Sequence, residues 1–332
     1  PFVLGWQDED LARHAALNGW LSEDSLLNAA YKMTGTKNLN LRSSIEPINH
    51  LRIDLSAQRS ISENMQEYWR AQNGTYTGQD GRLIVSGKNR MVQGNFNTTY
   101  NIIRTAFDPL DDDYNSPAYE NFLNYRNAIA WRLADNRTNP AYTPQAPNLD
   151  PESGQPLDNG YPNGYNALSQ DVLVPAFLAA YSGKQATAAP LNNYPKIPLP
   201  NWRITYDGLA KLETLQRFLK NVNINHAYRS MYKVGSFTSD PNYDHNSNSQ
   251  DGMSYVRNSL DGMFIPQYQL ANVALSEEFS PFLGIDMSWK NSLTTNIEYR
   301  RTRNLSLSFS NNQLMEAYSK EIIVGAGYRL SK

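Results

Sequence analysis

An all-β chain, forming a sector of an antiparallel transmembrane β-barrel with long loops and short helical insertions, is predicted by three observations. Apolar residues fall on every second position through most of 283–330. Turn signals cut this run into pieces approaching the ~9–11 residues that a tilted strand needs to cross a bilayer. No apolar run reaches the length of a membrane helix; the longest, near Val172–Tyr181, contains Pro175.

The alternating pieces are explicit. Leu283, Ile285, Met287 and Trp289 alternate with Gly284, Asp286, Ser288 and Lys290. Leu293, Thr295, Ile297 and Tyr299 alternate with Thr294, Asn296, Glu298 and Arg300. Leu305, Leu307 and Phe309 alternate with Ser306, Ser308 and Ser310, and a last piece carries Ile322, Val324, Ala326, Tyr328 and Leu330. Period two puts one parity on each face of a sheet. Tight connections are expected at 278–281, 290–293 and 302–304.

Earlier elements follow in order. Residues 1–36 read as loop with a short helix near Glu9–Leu17. Leu39, Leu41 and Ile45, then Leu51, Ile53, Leu55 and Ala57, predict a hairpin over about 38–60, with its turn at Glu46-Pro47-Ile48-Asn49. Residues 62–92 carry four glycines and read mostly as loop. Phe96, Thr98, Tyr100 and Ile102 predict a strand over 94–104. From 105 to 200 the strand signal lapses into an irregular insertion with a helix over Tyr119–Asp135. Trp202, Ile204 and Tyr206 predict a strand over 201–207, and Leu209–Lys220 has helical spacing. Val222, Ile224, His226 and Tyr228 open a strand over 221–235, Ser236–Asp261 reads as polar loop, and the final strands occupy 264–330. The total is about ten strands in one barrel domain over 1–332. The absence of an aromatic residue at the very end predicts a wall continuing beyond this chain.

Composition narrows the function classes. The net charge of −2 and the lack of a basic stripe with interleaved aromatics exclude a nucleic-acid surface. Cysteine is absent, so disulfides and thiolate metal sites are excluded. No phosphate loop, nucleophile elbow or dinucleotide fingerprint is present. No catalytic or cofactor-binding residue is expected, and no cofactor. The four histidines, His14, His50, His226 and His245, have no metal-ligand spacing. Asp240, Asn242, Asp244 and Asp251 match positions 1, 3, 5 and 12 of a calcium loop, but His245 stands where the sharp turn needs glycine. A solvated polar loop is the alternative. If the barrel forms, Asp286, Ser288, Asn296, Glu298, Arg300, Ser306 and Ser308 face the lumen. Leu283, Ile285, Leu293, Ile297, Leu305, Leu307, Ile322 and Val324 then face lipid.

Several stretches resemble a specific family. They are Asn18-Gly19-Trp20-Leu21, Asn38-Leu39-Asn40-Leu41-Arg42, Glu46-Pro47-Ile48 and the run Ser169–Tyr181. They include also Pro195-Lys196-Ile197-Pro198-Leu199-Pro200-Asn201-Trp202-Arg203-Ile204-Thr205-Tyr206-Asp207-Gly208-Leu209, His226-Ala227-Tyr228-Arg229-Ser230, Val234-Gly235-Ser236-Phe237 and Asn304–Leu314. Together these resemble a late portion of the SprA/Sov family, the outer-membrane translocons of the Bacteroidetes type IX secretion system. The resemblance implies a very large single-chain barrel that passes folded cargo proteins to the cell surface. It also implies a bacterial outer-membrane location, a lateral opening, a plug protein and a smaller PorV-like barrel as partner. Alternation alone leaves two rivals open: another outer-membrane porin or plugged receptor, and a soluble β-rich carbohydrate-binding protein.

Overall fold

The computed structural model describes residues 8–330 apart from 9, 27, 73–74, 78, 80–87, 113–115, 150–153, 158–159, 245–250 and 252. In chain order its elements are α1 (Leu11–Leu17), β1 (Ala30–Ile48), β2 (Leu51–Tyr68), β3 (Lys88–Thr99), α2 (Pro117–Asp135), β4 (Asn148–Leu149), β5 (Pro156–Leu157) and α3 (Gln170–Tyr181). There follow β6 (Asn201–Tyr206), α4 (Glu213–Gln216), β7 (Leu219–Ser239), β8 (Tyr268–Leu270), β9 (Asn272–Trp289), β10 (Leu293–Ser308) and β11 (Gln313–Tyr328). β4 and β5 pair with each other; the other nine strands form one antiparallel sheet with β1 and β11 at its edges. The protein is mostly antiparallel sheet with few helices, and no described helix is long and apolar enough to cross a membrane.

Two strands share one place in the sheet. β2 pairs with β3 through Arg59–Tyr68 and with β6 through Leu51–Ser56. β7 pairs with the same two strands on its other side. The chain therefore leaves the sheet after Thr99, builds an insertion, and returns at Asn201 to complete the interrupted position.

The insertion packs on one face of the sheet. The Ser116 hydroxyl accepts from the Tyr119 amide at 3.2 Å, and Pro117 opens α2, as a helix start prefers. Val172–Tyr181 of α3 is buried on all sides, which is why its apolar residues show no stripe. Phe122, Ile129, Phe177 and Tyr181 meet Phe96, Tyr232, Val234, Leu275, Leu305 and Leu307 of the sheet in one core.

The strands are longer than their sequence predicts. Residues 278–281 are not a turn: Asn272–Trp289 is one strand, and Pro281 lies where the β9–β10 register shifts. A bulge leaves a residue without a ladder partner, so proline fits there. Residues 302–304 lie inside β10, because the Arg303 charge is matched across the ladder by Glu277. Pro47 lies inside edge strand β1 at another register shift, and Asn49-His50 makes the turn, with His50 at φ 73°. Residues 62–92 include the end of β2 and the start of β3, and in the predicted 264–330 run no described strand begins before 268. The helical spacing over Leu209–Lys220 yields only a 3₁₀ turn at Gly208–Lys211 and the single turn α4.

Candidate functional site

Cross-strand pairing aligns the apolar parity of every long strand on one face. Three rows show its levels. The row Ile61, Phe96, Val234, Val273, Leu307 and Leu314 lies beneath the insertion. A middle row runs Ser43, Leu55, Trp202, Tyr228, Phe279, Arg301 and Lys320. The third row is Ile48, Leu51, Tyr206, Ile224, Ile285, Ile297 and Val324, without one polar atom except the Tyr206 hydroxyl. No helix covers this last row, and Val324 is 72% exposed.

Six of the eight residues predicted to face lipid belong to this uncovered part. Leu283, Ile297, Ile322 and Val324 are exposed, and Ile285 and Leu293 are half-buried. Leu305 and Leu307 share their face but are buried beneath the insertion, at 1% and 2% exposure. Protein covers them, which corrects their expected contact with lipid. Period two sets a side chain's face and not what lies above it.

Aromatic side chains bound the uncovered zone at both ends. Trp202 stacks on Tyr228 with centroids 4.4 Å apart, and Tyr228 meets Phe279 at 5.0 Å. Phe107, from the start of the insertion, lies 5.4 Å from Phe279 and 5.6 Å from Phe282. At the opposite end stand Trp289, donating to the Thr295 hydroxyl at 3.0 Å, and Tyr328. The row of Phe279, Arg301 and Lys320 lies eight positions from Tyr328 and its partner Leu293; β9 takes ten from Phe279 to Trp289 because its register shift adds two residues. Eight residues span about 26 Å along a strand, or about 20 Å vertically at a tilt of about 40°.

The other face is polar. Asp286 pairs with Asn296, Ser288 with Thr294, Ser306 with Ala274 and Ser308 with Asn272 across the β9–β10 ladder. Asn225 donates to the Asp286 carboxylate at 2.8 Å. Arg300 binds Glu298 at 2.6 Å and lies 3.9 Å from Glu321. All seven residues predicted to face a lumen thus lie on this face. A groove of about 550 Å³ crosses it, lined by Arg42, Gln58, Arg229, Lys233, Glu278 and Asn304. Those residues come from β1, β2, β7, β9 and β10, so the groove spans most of the sheet's width.

A buried ionic cluster locks the insertion to the apolar face. Arg303 lies 3.1 Å from Glu277, both side chains 2% exposed, and 3.8 Å from Glu316. Its guanidinium donates to the Thr105 carbonyl at 2.8 Å, the Thr105 hydroxyl at 3.0 Å and the Ile102 carbonyl at 3.3 Å. Tyr228 donates to Glu277 at 2.9 Å and accepts from the Ile102 amide at 3.1 Å. Tyr181, at the end of α3, donates to Glu316 at 3.3 Å, and Tyr318 donates to the same carboxylate. Sequence reading passed over this cluster. Its signal was there: Glu277 and Arg303 are charges on the apolar parity of their strands.

The calcium-loop candidates do not converge. Asp240 accepts from Gln269 at 2.6 Å and from the Asn242 amide at 2.9 Å. Asp251 accepts from the Thr138 amide at 2.9 Å and from Tyr255 at 2.5 Å, and the Asp244 amide donates to Ser254 at 3.2 Å. Among the described residues no three acidic or histidine side chains gather as metal ligands; His245 lies outside the described residues. The segment packs against the insertion instead. There Asp171, in the first turn of α3, accepts from Asn193 at 3.2 Å. Burial pushes the Asp171 carboxyl above the usual carboxylate range, against the opposing pull of Asn193 and Arg137.

No protein-family model and no curated protein matches this sequence.

Proposed function

We propose that this chain is a sector of an outer-membrane β-barrel and that its polar face lines a protein-conducting passage. The observation that carries the membrane reading is the uncovered apolar zone, about 20 Å tall between aromatic rims, backed by a polar face. A soluble sheet with one face this apolar normally covers it along its whole length. Here the insertion covers only one end. Seven strand positions with two open edges suit a segment whose edges pair with more of the same wall.

Turn placement supports one orientation of the wall. The hairpin turns at 49–50 and 290–292 and the 207–218 connection lie at one end; the long connections after Tyr68 and Ser239 leave from the other, which also holds the short turn at 309–312. Outer-membrane barrels put short turns in the periplasm and long loops outside. The insertion would then stand on the outer flank of the wall, above the lipid, rather than in the lumen. The lumenal face carries both signs of charge and many amides and hydroxyls, so it stays hydrated and adheres poorly to passing protein. Nothing in this passage calls for catalysis; it is a conduit. The reading as a type IX translocon, with folded cargo, a PorV-like barrel and a plug protein as partners, rests on the resemblance of the sequence stretches set out above.

Single cysteines test the face assignment in the full-length protein, since this segment has none of its own. In intact cells, cysteines at Asp286 and Asn296 should react with a membrane-impermeant maleimide, and cysteines at Ile285 and Ile297 should stay unlabelled. Equal labelling of both pairs would refute the membrane reading. Export of cargo, set against conductance for small solutes, separates a translocon from a porin.

A further inference from the structure

Two cations sit side by side where the apolar zone meets the insertion. Arg301 and Lys320 are directly paired across β10 and β11, on the apolar face. Like charges directly opposite each other destabilise a sheet. Among the described residues neither has a carboxylate within 4.0 Å; the nearby acids Glu277 and Glu316 are engaged by Arg303. Arg301 lies over two ring faces, Phe107 at 4.6 Å and Tyr318 at 5.9 Å. Lys320 is exposed. The rest of their row is Phe279, Tyr228, Trp202, Leu55 and Ser43, so the pair holds the only charges in that row, with Glu277 one level toward the insertion in electrostatic reach of Arg301.

We propose that Arg301 and Lys320 bind the phosphate of an anionic lipid headgroup in the outer leaflet. This rests on the membrane reading. Lys320 is eight positions above Tyr328, about 20 Å vertically, which places it at headgroup depth when Tyr328 marks the opposite interface. A phosphate between the two side chains replaces repulsion with two charge-assisted contacts. The long stem of each residue lies along the apolar face while its head reaches the interface. Phe107 and Tyr318 attract the guanidinium to that border through their ring faces.

The test uses the full-length protein in nanodiscs of phosphatidylcholine doped with monophosphoryl lipid A or, separately, with its dephosphorylated form. Lipid retention is read by native mass spectrometry. The wild type should retain the phosphorylated form selectively. The Arg301→Gln/Lys320→Gln variant should bind it about 30-fold more weakly, about 2 kcal/mol at 1.4 kcal/mol per tenfold. Arg301→Lys should keep most of the selectivity, because the charge remains. Equal retention by wild type and double variant, with the protein inserted, overturns the lipid site and leaves the membrane reading standing. Failure of the wild type to insert overturns the membrane reading itself. Competition by inorganic phosphate at the concentration of the lipid also overturns the assignment, since the site would then be one for a free anion.

Discussion

Replacing Arg303 by Met should release the insertion from the sheet. The guanidinium is buried and faces Glu277 at 3.1 Å and Glu316 at 3.8 Å. It also holds the Ile102 carbonyl and both oxygens of Thr105, the residues through which the chain leaves the sheet. Methionine fills much of the space but leaves Glu277 buried with Tyr228 as its remaining hydrogen-bond partner. Breaking a buried pair by removing one member costs about 3–5 kcal/mol. If that cost falls on local opening, the open population rises about 100- to 4,000-fold at 1.4 kcal/mol per tenfold. Limited proteolysis of the purified full-length protein reads this directly, with cleavage within 105–200 scored separately from cleavage in the strands. Arg303→Met should be cut in the insertion at a rate raised by that factor while the sheet stays resistant. Adding Glu277→Leu should recover part of the loss, since the orphaned carboxylate is then gone, though the Ile102 and Thr105 carbonyls keep only their local turn donors. An Arg303→Met protein cut within threefold of the wild-type rate would refute the account of the cluster as the lock.

Two further outcomes follow from local geometry. At Gly94 of β3 an added Cβ would lie 2.2 Å from the Ser62 carbonyl and 2.4 Å from the Phe237 ring. Because one obstacle is backbone, Gly94→Ala should cost at least the about 1–3 kcal/mol of an overpacked core, and thermal unfolding should show it as a lowered midpoint. Asp171 carries a raised folded value, so its folded form holds the proton more tightly than the unfolded chain does. That contribution is complete below the ordinary aspartate range and is lost as pH rises through the raised value. Hydrogen exchange of α3 should therefore quicken with pH beyond the intrinsic base dependence, and Asp171→Asn should flatten the excess while slowing exchange at neutral pH. An unchanged excess in Asp171→Asn would assign it to another group.

The faces were legible in the sequence and the strand lengths were not. Leu283, Ile285, Ile297 and Val324 share a face because side-chain direction depends only on parity and register. Strand ends depend on what breaks a ladder, and the usual breakers mislead here. Pro47 and Pro281 sit at register shifts, where no ladder donor is needed, so the strands run past them. Arg300-Arg301-Thr302-Arg303 reads as a charged turn, yet Arg303 finds Glu277 across the ladder and Arg300 finds Glu298. The Arg303–Glu277 match joins strands distant in sequence, and the local pattern shows only that each is a charge on an apolar parity, without naming its partner. The helix α3 was hidden for the opposite reason: burial on all sides erases the stripe by which a helix is recognised.

The same distinction decides how the site should be read. Parity places Leu305 and Leu307 with Ile297, but the insertion divides that face into a covered level and an uncovered one. The divide falls at the row of Trp202, Tyr228, Phe279, Arg301 and Lys320, where aromatic rings and cations replace aliphatic side chains. A chain that only needed a core beneath α2 and α3 has no use for apolar residues beyond that row. It nevertheless continues with Ile224, Ile285, Ile297 and Val324 and closes on Trp289 and Tyr328. Such a zone costs solubility wherever it meets water. It is accounted for when hydrocarbon meets it, and the polar residues opposite are accounted for when water fills the other side. The surrounding proposed for this chain, a bilayer around an aqueous passage, satisfies both faces of the sheet at once.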